Sequence, residues 1–290
     1  MPFGLKNAPM AFSMVISEVL KGINWKFCLV YIDDIIIYSQ SFQEHLHHLT
    51  QVFDRLIEAN LKLQPPKCLF ALPKVPYLGH IISEYGIAPN PEKISSLSSF
   101  PVPKCKKDLQ SFLGLCNCYR RFVKGFFHTA ACLNKLLKAD QKFVWSDECQ
   151  SAFDSLKQSL TNHPVLVFPN FQKEFMLYTD ASDRAVGYIL GQLDDNGKER
   201  VVAYGGRSMN NSERKWGITD KEGLALIEGI KHFKVYLTGK HFMVYTDHTA
   251  LTSLRHLSKQ QAGYGGATFF KGLTSPLYTS QAGFTVMRML

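Results

Sequence analysis

The sequence predicts an α+β chain of more than one domain, and three observations lead there. A length of 290 residues is enough for two separate cores. The apolar periodicity changes along the chain, from short alternating runs to helical spacing and back to alternating runs. A proline-rich stretch from Pro89 to Pro103 divides the first mixed segment from the helices that follow. The composition, 46% hydrophobic and 20% charged, is that of an ordinary globular chain.

Residues 10–21 form the first helical candidate. Residues 28–39 read C-L-V-Y-I-D-D-I-I-I-Y-S and set Asp33 and Asp34 between two apolar runs, the pattern of a β-hairpin with a charged turn. Two adjacent acids there are either turn chemistry or metal ligands, and both readings stand at this point. A helix over about 42–60 follows, with Leu46, Leu49, Phe53, Leu56 and Ile57 on its apolar face; His45, His47 and His48 fall on a solvated face. Short strands are predicted at Leu69–Leu72 and Tyr77–Ser83.

Between residues 104 and 138, eight lysines and arginines stand against one acid, Asp108, within a chain of net charge +9. Such density suits a phosphate backbone, although a charge run is also compatible with a plain solvated face. Over 106–124, Leu109, Phe112, Leu113, Cys116, Tyr119 and Val123 recur at helical spacing, while Lys106, Lys107, Arg120, Arg121 and Lys124 lie largely elsewhere on the wheel. A further helix starts after Ser146, with Asp147 and Glu148 in its first turn and Cys149, Ala152, Phe153, Leu156 and Leu160 inward.

From Phe175 the pattern returns to strand. F-M-L-Y-T-D-A, A-V-G-Y-I-L-G-Q-L and R-V-V-A-Y read as three strands, D-D-N-G-K as a turn, 219–236 as a helix burying Leu224, Ala225, Ile227, Ile230 and Phe233, and H-F-M-V-Y-T-D as a fourth strand. Asp180 ends one strand and Asp247 another, each closing a Y-T-D tripeptide, and Glu222 falls in the first turn of the helix. If the two strands are neighbours, three carboxylates converge, and hard oxygens of this kind select Mg²⁺ or Mn²⁺. Strand ends and first turns favour acids in any case. Beyond about residue 260 neither period persists, so the tail is expected to lack regular structure. Seven cysteines without C-x-x-C spacing are expected to be free thiols. With no apolar run of spanning length and no signal core, the expectation is an intracellular chain, cytoplasmic or nuclear, neither secreted nor in a membrane.

M-P-F-G-L-K-N-A-P (1–9), Y-I-D-D (31–34), Y-L-G-H-I-I-S (77–83), F-L-G-L-C-N-C-Y-R-R-F (112–122), Y-T-D-A-S (178–182), D-K-E-G-L-A (220–225) and V-Y-T-D-H-T-A-L (244–251) occur in this order. In these motifs the chain resembles the Pol proteins of long-terminal-repeat retrotransposons, above all the Ty3/gypsy class, where a reverse transcriptase is joined to a ribonuclease H. The resemblance implies a partial right-hand polymerase palm and thumb followed by an α/β ribonuclease H-like domain. Its boundaries would be 1–87 for the C-terminal part of the palm, 88–141 for the thumb, 142–172 for a connection, 173–257 for a truncated ribonuclease H-like domain and 258–290 for a divergent tail.

On the same resemblance, Asp33 and Asp34 bind the Mg²⁺ or Mn²⁺ ions of nucleotidyl transfer, and Phe3 and Gly4 lie at the dNTP. Tyr77, Leu78 and Gly79 grip the primer, Lys106, Lys107, Arg120, Arg121 and Lys124 contact the nucleic acid, and Asp180, Glu222 and Asp247 form the catalytic metal site that cuts RNA in an RNA/DNA hybrid. Primer–template and dNTP are the implied partners of the complete enzyme. The family's fingers, its first palm aspartate and a fourth ribonuclease H acid have no match in this sequence. The expectation is therefore a truncated copy, inactive as a polymerase and weak as a ribonuclease H, with a non-catalytic nucleic-acid-binding remnant as the alternative.

Overall fold

The computed structural model describes residues 7–248, 251, 277–279 and 285–289. The chain forms two compact units, Met1–Glu84 and Tyr85–Leu290. None of the helices in the described residues is long and apolar enough to cross a membrane. All seven cysteines are free.

In the first unit, α1 (Ala8–Val19) opens at Pro9, whose fixed φ suits a first helical turn. Strands β1 (Cys28–Tyr31) and β2 (Asp34–Ile37) form the expected antiparallel hairpin, with Tyr31 opposite Asp34. Helix α2 (Phe42–Glu58) starts at Ser41, whose hydroxyl accepts the Glu44 N–H at 3.2 Å while the Glu44 carboxylate accepts the Gln40 N–H at 2.8 Å. Ile16, Leu20, Ile23, Cys28, Val52 and Leu56 make the core of this unit. The inward face of α2 differs from the sequence reading, because Ile57 is 73% exposed and His48 faces inward, stacked on Phe27 with ring centroids 3.8 Å apart. Ser39 fixes that histidine, its hydroxyl lying 2.7 Å from His48 Nδ1.

The strand expected at Leu69–Leu72 does not form. Pro65, Pro66 and Pro73 interrupt the run and Ala71 takes a left-handed turn, so the strand lies at β3 (Lys74–Tyr77) instead. The single strand expected over Tyr77–Ser83 is split, with β4 (His80–Ser83) folding back on β3. Leu78 and Gly79 both have positive φ, 49° and 79°, which is the backbone of a tight hairpin turn.

Ile32, in the turn between β1 and β2, also has positive φ (54°). A β-branched residue there is strained, and strain of this kind concentrates at functional turns. Ile32→Gly is expected to raise stability by about 1 kcal/mol, read from the urea midpoint; an unchanged or lower midpoint would show the turn to be relaxed.

The second unit begins with β5 (Gly86–Pro89), then α3 (Pro91–Ser98), α4 (Lys106–Cys118), α5 (Phe126–Thr129), α6 (Ala131–Leu136) and α7 (Asp147–Thr161). Ser146 caps α7 as expected, accepting the Cys149 N–H at 3.3 Å. The inward residues of these helices form one core, in which the Phe112 and Phe153 rings lie 4.5 Å apart. The segment 142–172 thus closes the core of 88–141 through α7. Ile87 of strand β5 is joined to Leu166 by two backbone hydrogen bonds, its N–H donating to the Leu166 carbonyl at 2.8 Å and its carbonyl accepting the Leu166 N–H at 3.0 Å.

The sheet that follows runs β10-β11-β9-β6-β7-β8, built from β6 (Phe175–Ala181), β7 (Ala185–Leu193), β8 (Glu199–Ser208), β9 (Phe242–Thr246), β10 (Leu277–Thr279) and β11 (Thr285–Met289). Strands β6, β7 and β8 are antiparallel neighbours, while β6 and β9 are parallel, joined through the crossover helix α8 (Ile218–His232) and the short α9 (Lys234–Leu237). The helix expected over 219–236 is interrupted at Phe233. Its buried face is Ala225, Leu226, Gly229 and Ile230, whereas Leu224 and Ile227 are half-buried. Gly229 decides this rotation: a Cβ there would lie 3.2 Å from the Tyr188 side chain, so the helix approaches β7 through that position. The tail expected to lack regular structure supplies two strands, β10 and β11, with β11 pairing β9 antiparallel. Without that pairing β9 would expose a row of open backbone groups.

Candidate metal centre and nucleic-acid surface

The repeated Y-T-D tripeptide determines where two of the carboxylates lie. The parallel register pairs Tyr178 of β6 with Tyr245 of β9, so Asp180 and Asp247 end neighbouring strands on the same side. The two tyrosine rings are stacked with centroids 4.7 Å apart. Glu222 comes from α8, in its second turn rather than its first, because the helix starts at Ile218 and its first-turn acid is Asp220. One carboxylate oxygen from each of Asp180, Glu222 and Asp247 lies within 4.8 Å of the others.

The three differ in surroundings. Asp180 and Asp247 are exposed, whereas Glu222 is 3% exposed. Glu222 Oε1 accepts the Ala181 N–H at 3.1 Å. Its Oε2 is buried and has no hydrogen-bond partner among the described residues. Burial pushes the Glu222 carboxyl up to about 7, against the Ala181 hydrogen bond, and the charges of Asp247 and Asp180 push the same way. A buried carboxylate oxygen without a partner, beside two more carboxylates, fits a hard divalent cation.

In the first unit, Asp33 sits in the hairpin turn and Asp34 opens β2, both exposed. Tyr77 ends β3, with Leu78 and Gly79 in the turn after it. Burial raises the Tyr77 phenol, and the Asp34 charge adds to the shift, so tyrosine and carboxylate share one electrostatic environment. Two carboxylates alone do not make a two-ion site. Phe3 and Gly4 lie outside the described residues.

The basic residues divide into two sets. Lys107, Arg120 and Lys124 are exposed, whereas Lys106 and Arg121 are half-buried. Lys106 instead donates to the carbonyls of Lys138 at 2.6 Å and Ala139 at 3.4 Å, which ties α4 to the chain beyond α6. Arg120 donates to Asn117 Oδ1 at 2.9 Å and lies over the Phe127 ring. Burial raises the Tyr188 phenol and lowers the His232 imidazole, and the nearby Arg120 charge opposes the first shift and adds to the second. Phe127 packs against Gly206, where a Cβ would lie 3.3 Å from its ring. Arg121 is half-buried, and its Nε has no partner among the described residues. Sequence reasoning missed Lys221 and His248, which flank Glu222 and Asp247 and bond across the site. The signal was their adjacency to the acids within D-K-E and T-D-H.

A palm-type hairpin bearing paired aspartates, followed by a helical segment and a mixed sheet with three convergent carboxylates, defines a reverse transcriptase region joined to a ribonuclease H-like domain. The family of reverse transcriptases (RNA-dependent DNA polymerases) matches residues 1–82, and the RNase H-like domain found in reverse transcriptase matches residues 145–244. The retrovirus-related Pol polyprotein from transposon 297 of Drosophila melanogaster is 40% identical over 266 residues, 90% of this chain and 24% of that protein. The Tf2-3 polyprotein of Schizosaccharomyces pombe is 37% identical over 253 residues, 87% of this chain and 19% of that protein. The foamy viral protease-reverse transcriptase in complex with dsDNA superposes with a TM-score of 0.79 at 24% identity, over 95% of this chain and 58% of that one. The same viral protein in complex with an RNA/DNA hybrid gives 0.76 at 23% identity, over 93% of this chain and 37% of that one. At these identities the two structures speak for the fold. The chain thus carries reverse transcriptase and RNase H-like segments, is similar to transposon Pol polyproteins, and spans about a quarter or less of the length of these curated relatives.

Proposed function

We propose that this chain is a Ty3/gypsy-type Pol segment whose C-terminal domain cleaves RNA paired with DNA at Asp180, Glu222 and Asp247 with Mg²⁺ or Mn²⁺, and whose hairpin aspartates belong to a nucleotidyl-transfer site acting on primer–template and dNTP. The observation that carries the nuclease reading is the convergence of three carboxylates within 4.8 Å, one of them buried with an unpartnered oxygen. A bound divalent cation would supply a water of lowered pKa and would offset charge on the scissile phosphate. The Ala181 N–H holds Glu222 Oε1 and leaves Oε2 buried without a partner among the described residues. Asp180 and Asp247, at the open ends of their strands, are accessible to a bulky duplex. Exposed Lys107 and Lys124 are suited to its phosphates. Seven free cysteines support a reducing, intracellular setting.

A labelled RNA/DNA hybrid incubated with the chain and Mn²⁺ should be cut in its RNA strand, and Glu222→Gln should abolish the cut. A hybrid that is bound but left intact by the native chain would favour the second reading, a nucleic-acid-binding remnant. That reading draws on the hairpin, where the described residues supply two carboxylates and no third.

A further inference from the structure

Glu222 can share a cation with Asp180 and Asp247 only if α8 keeps a fixed place along both strands. Two polar contacts outside the carboxylates fix it. Thr219, one turn before Glu222, shares a 2.9 Å hydrogen bond with His248 Nε2, and His248 directly follows Asp247. The His248 backbone N–H in turn donates to the buried Thr246 hydroxyl at 3.3 Å, holding the residue that carries the imidazole to the end of β9. Lys221, directly before Glu222, is 6% exposed and donates to Asp183 at 3.1 Å. Asp183 lies in the turn after β6, three residues beyond Asp180. The helix is thus held at one contact to the strand of Asp247 and at another to the strand of Asp180.

We propose that Thr219 and Lys221 are positioning residues that fix Glu222 between the two aspartates, Thr219 through His248 and Lys221 through Asp183. The proposal rests on the metal-site reading above. It makes a prediction opposite in sign to simple electrostatics. A lysine acting only as a nearby positive charge would repel a cation, so its removal would tighten binding. A lysine that positions Glu222 gives looser binding when it is lost.

The test is Mn²⁺ affinity of the full chain at constant ionic strength, read from the electron paramagnetic resonance signal of the free ion, with thermal unfolding in chelator as the check on folding. Thr219→Val and Lys221→Met should each weaken binding about tenfold, whereas Thr219→Ser should stay within about twofold of the native chain. If Lys221→Met does not fold, Asp183→Ser reads the same contact at an exposed side chain and should weaken binding more than Asp220→Ser, an exposed acid on the same helix. Tighter binding in Lys221→Met, or native affinity in Thr219→Val, would overturn the proposal. A native chain that does not bind Mn²⁺ would overturn it together with the reading of the site.

Discussion

In chelator, the native chain should lose roughly 3 kcal/mol of stability relative to Glu222→Gln as the pH rises from below 4.5 to above 7. The folded carboxyl titrates at about 7, above its ordinary value of 4.5, because burial and the two aspartates disfavour its charge. Between those values the folded state binds more protons than the unfolded state. The stabilisation is therefore complete below 4.5 and is lost as pH rises through the folded value. The difference between the two chains cancels the other carboxylates. Saturating Mn²⁺ should flatten the native profile, since a cation replaces the proton in offsetting the charge. Parallel profiles for the two chains in chelator would show that Glu222 is not the group under strain.

Gly86→Ala should be the most damaging small substitution in the second unit, at about 4 kcal/mol. A Cβ at position 86 would lie 2.0 Å from the Leu166 carbonyl oxygen, and the residue's φ of +131° is one that L side chains rarely adopt. The clash is with backbone and cannot be relieved by a rotamer change. It removes both hydrogen bonds between Ile87 and Leu166 and moves β5 off the end of the helical core. Gly125→Ala is the matched control, because Gly125 has φ of +67° with nothing within 4 Å of its Cβ position, and it should cost only about 1 kcal/mol. Urea midpoints measure both. Equal midpoints for the two variants would contradict the close approach at Leu166.

By itself the sequence determined the features that nearest-neighbour chemistry controls. The two apolar runs flanking Asp33 and Asp34 specified the hairpin, Ser146 specified where α7 begins, and the Y-T-D repeat marked Asp180 and Asp247 as equivalent strand ends. Each depends on residues only a few positions apart, where side-chain capping and strand period act directly. Only the tertiary structure decided the rest. The parallel register across 67 positions, from Tyr178 to Tyr245, brings the two aspartates together, and no local pattern encodes it. The rotation of α8 follows from Gly229 meeting Tyr188, and the burial of Glu222 and Lys221 follows from that rotation. Lys106 donates to the distant carbonyls of Lys138 and Ala139, and Arg120, though exposed, lies over Phe127 beside the β7–β8 sheet, contacts that the charge count does not show. Charge and period are properties of a residue and its neighbours, whereas burial, register and the partner of a cation depend on which distant segments the core brings into contact.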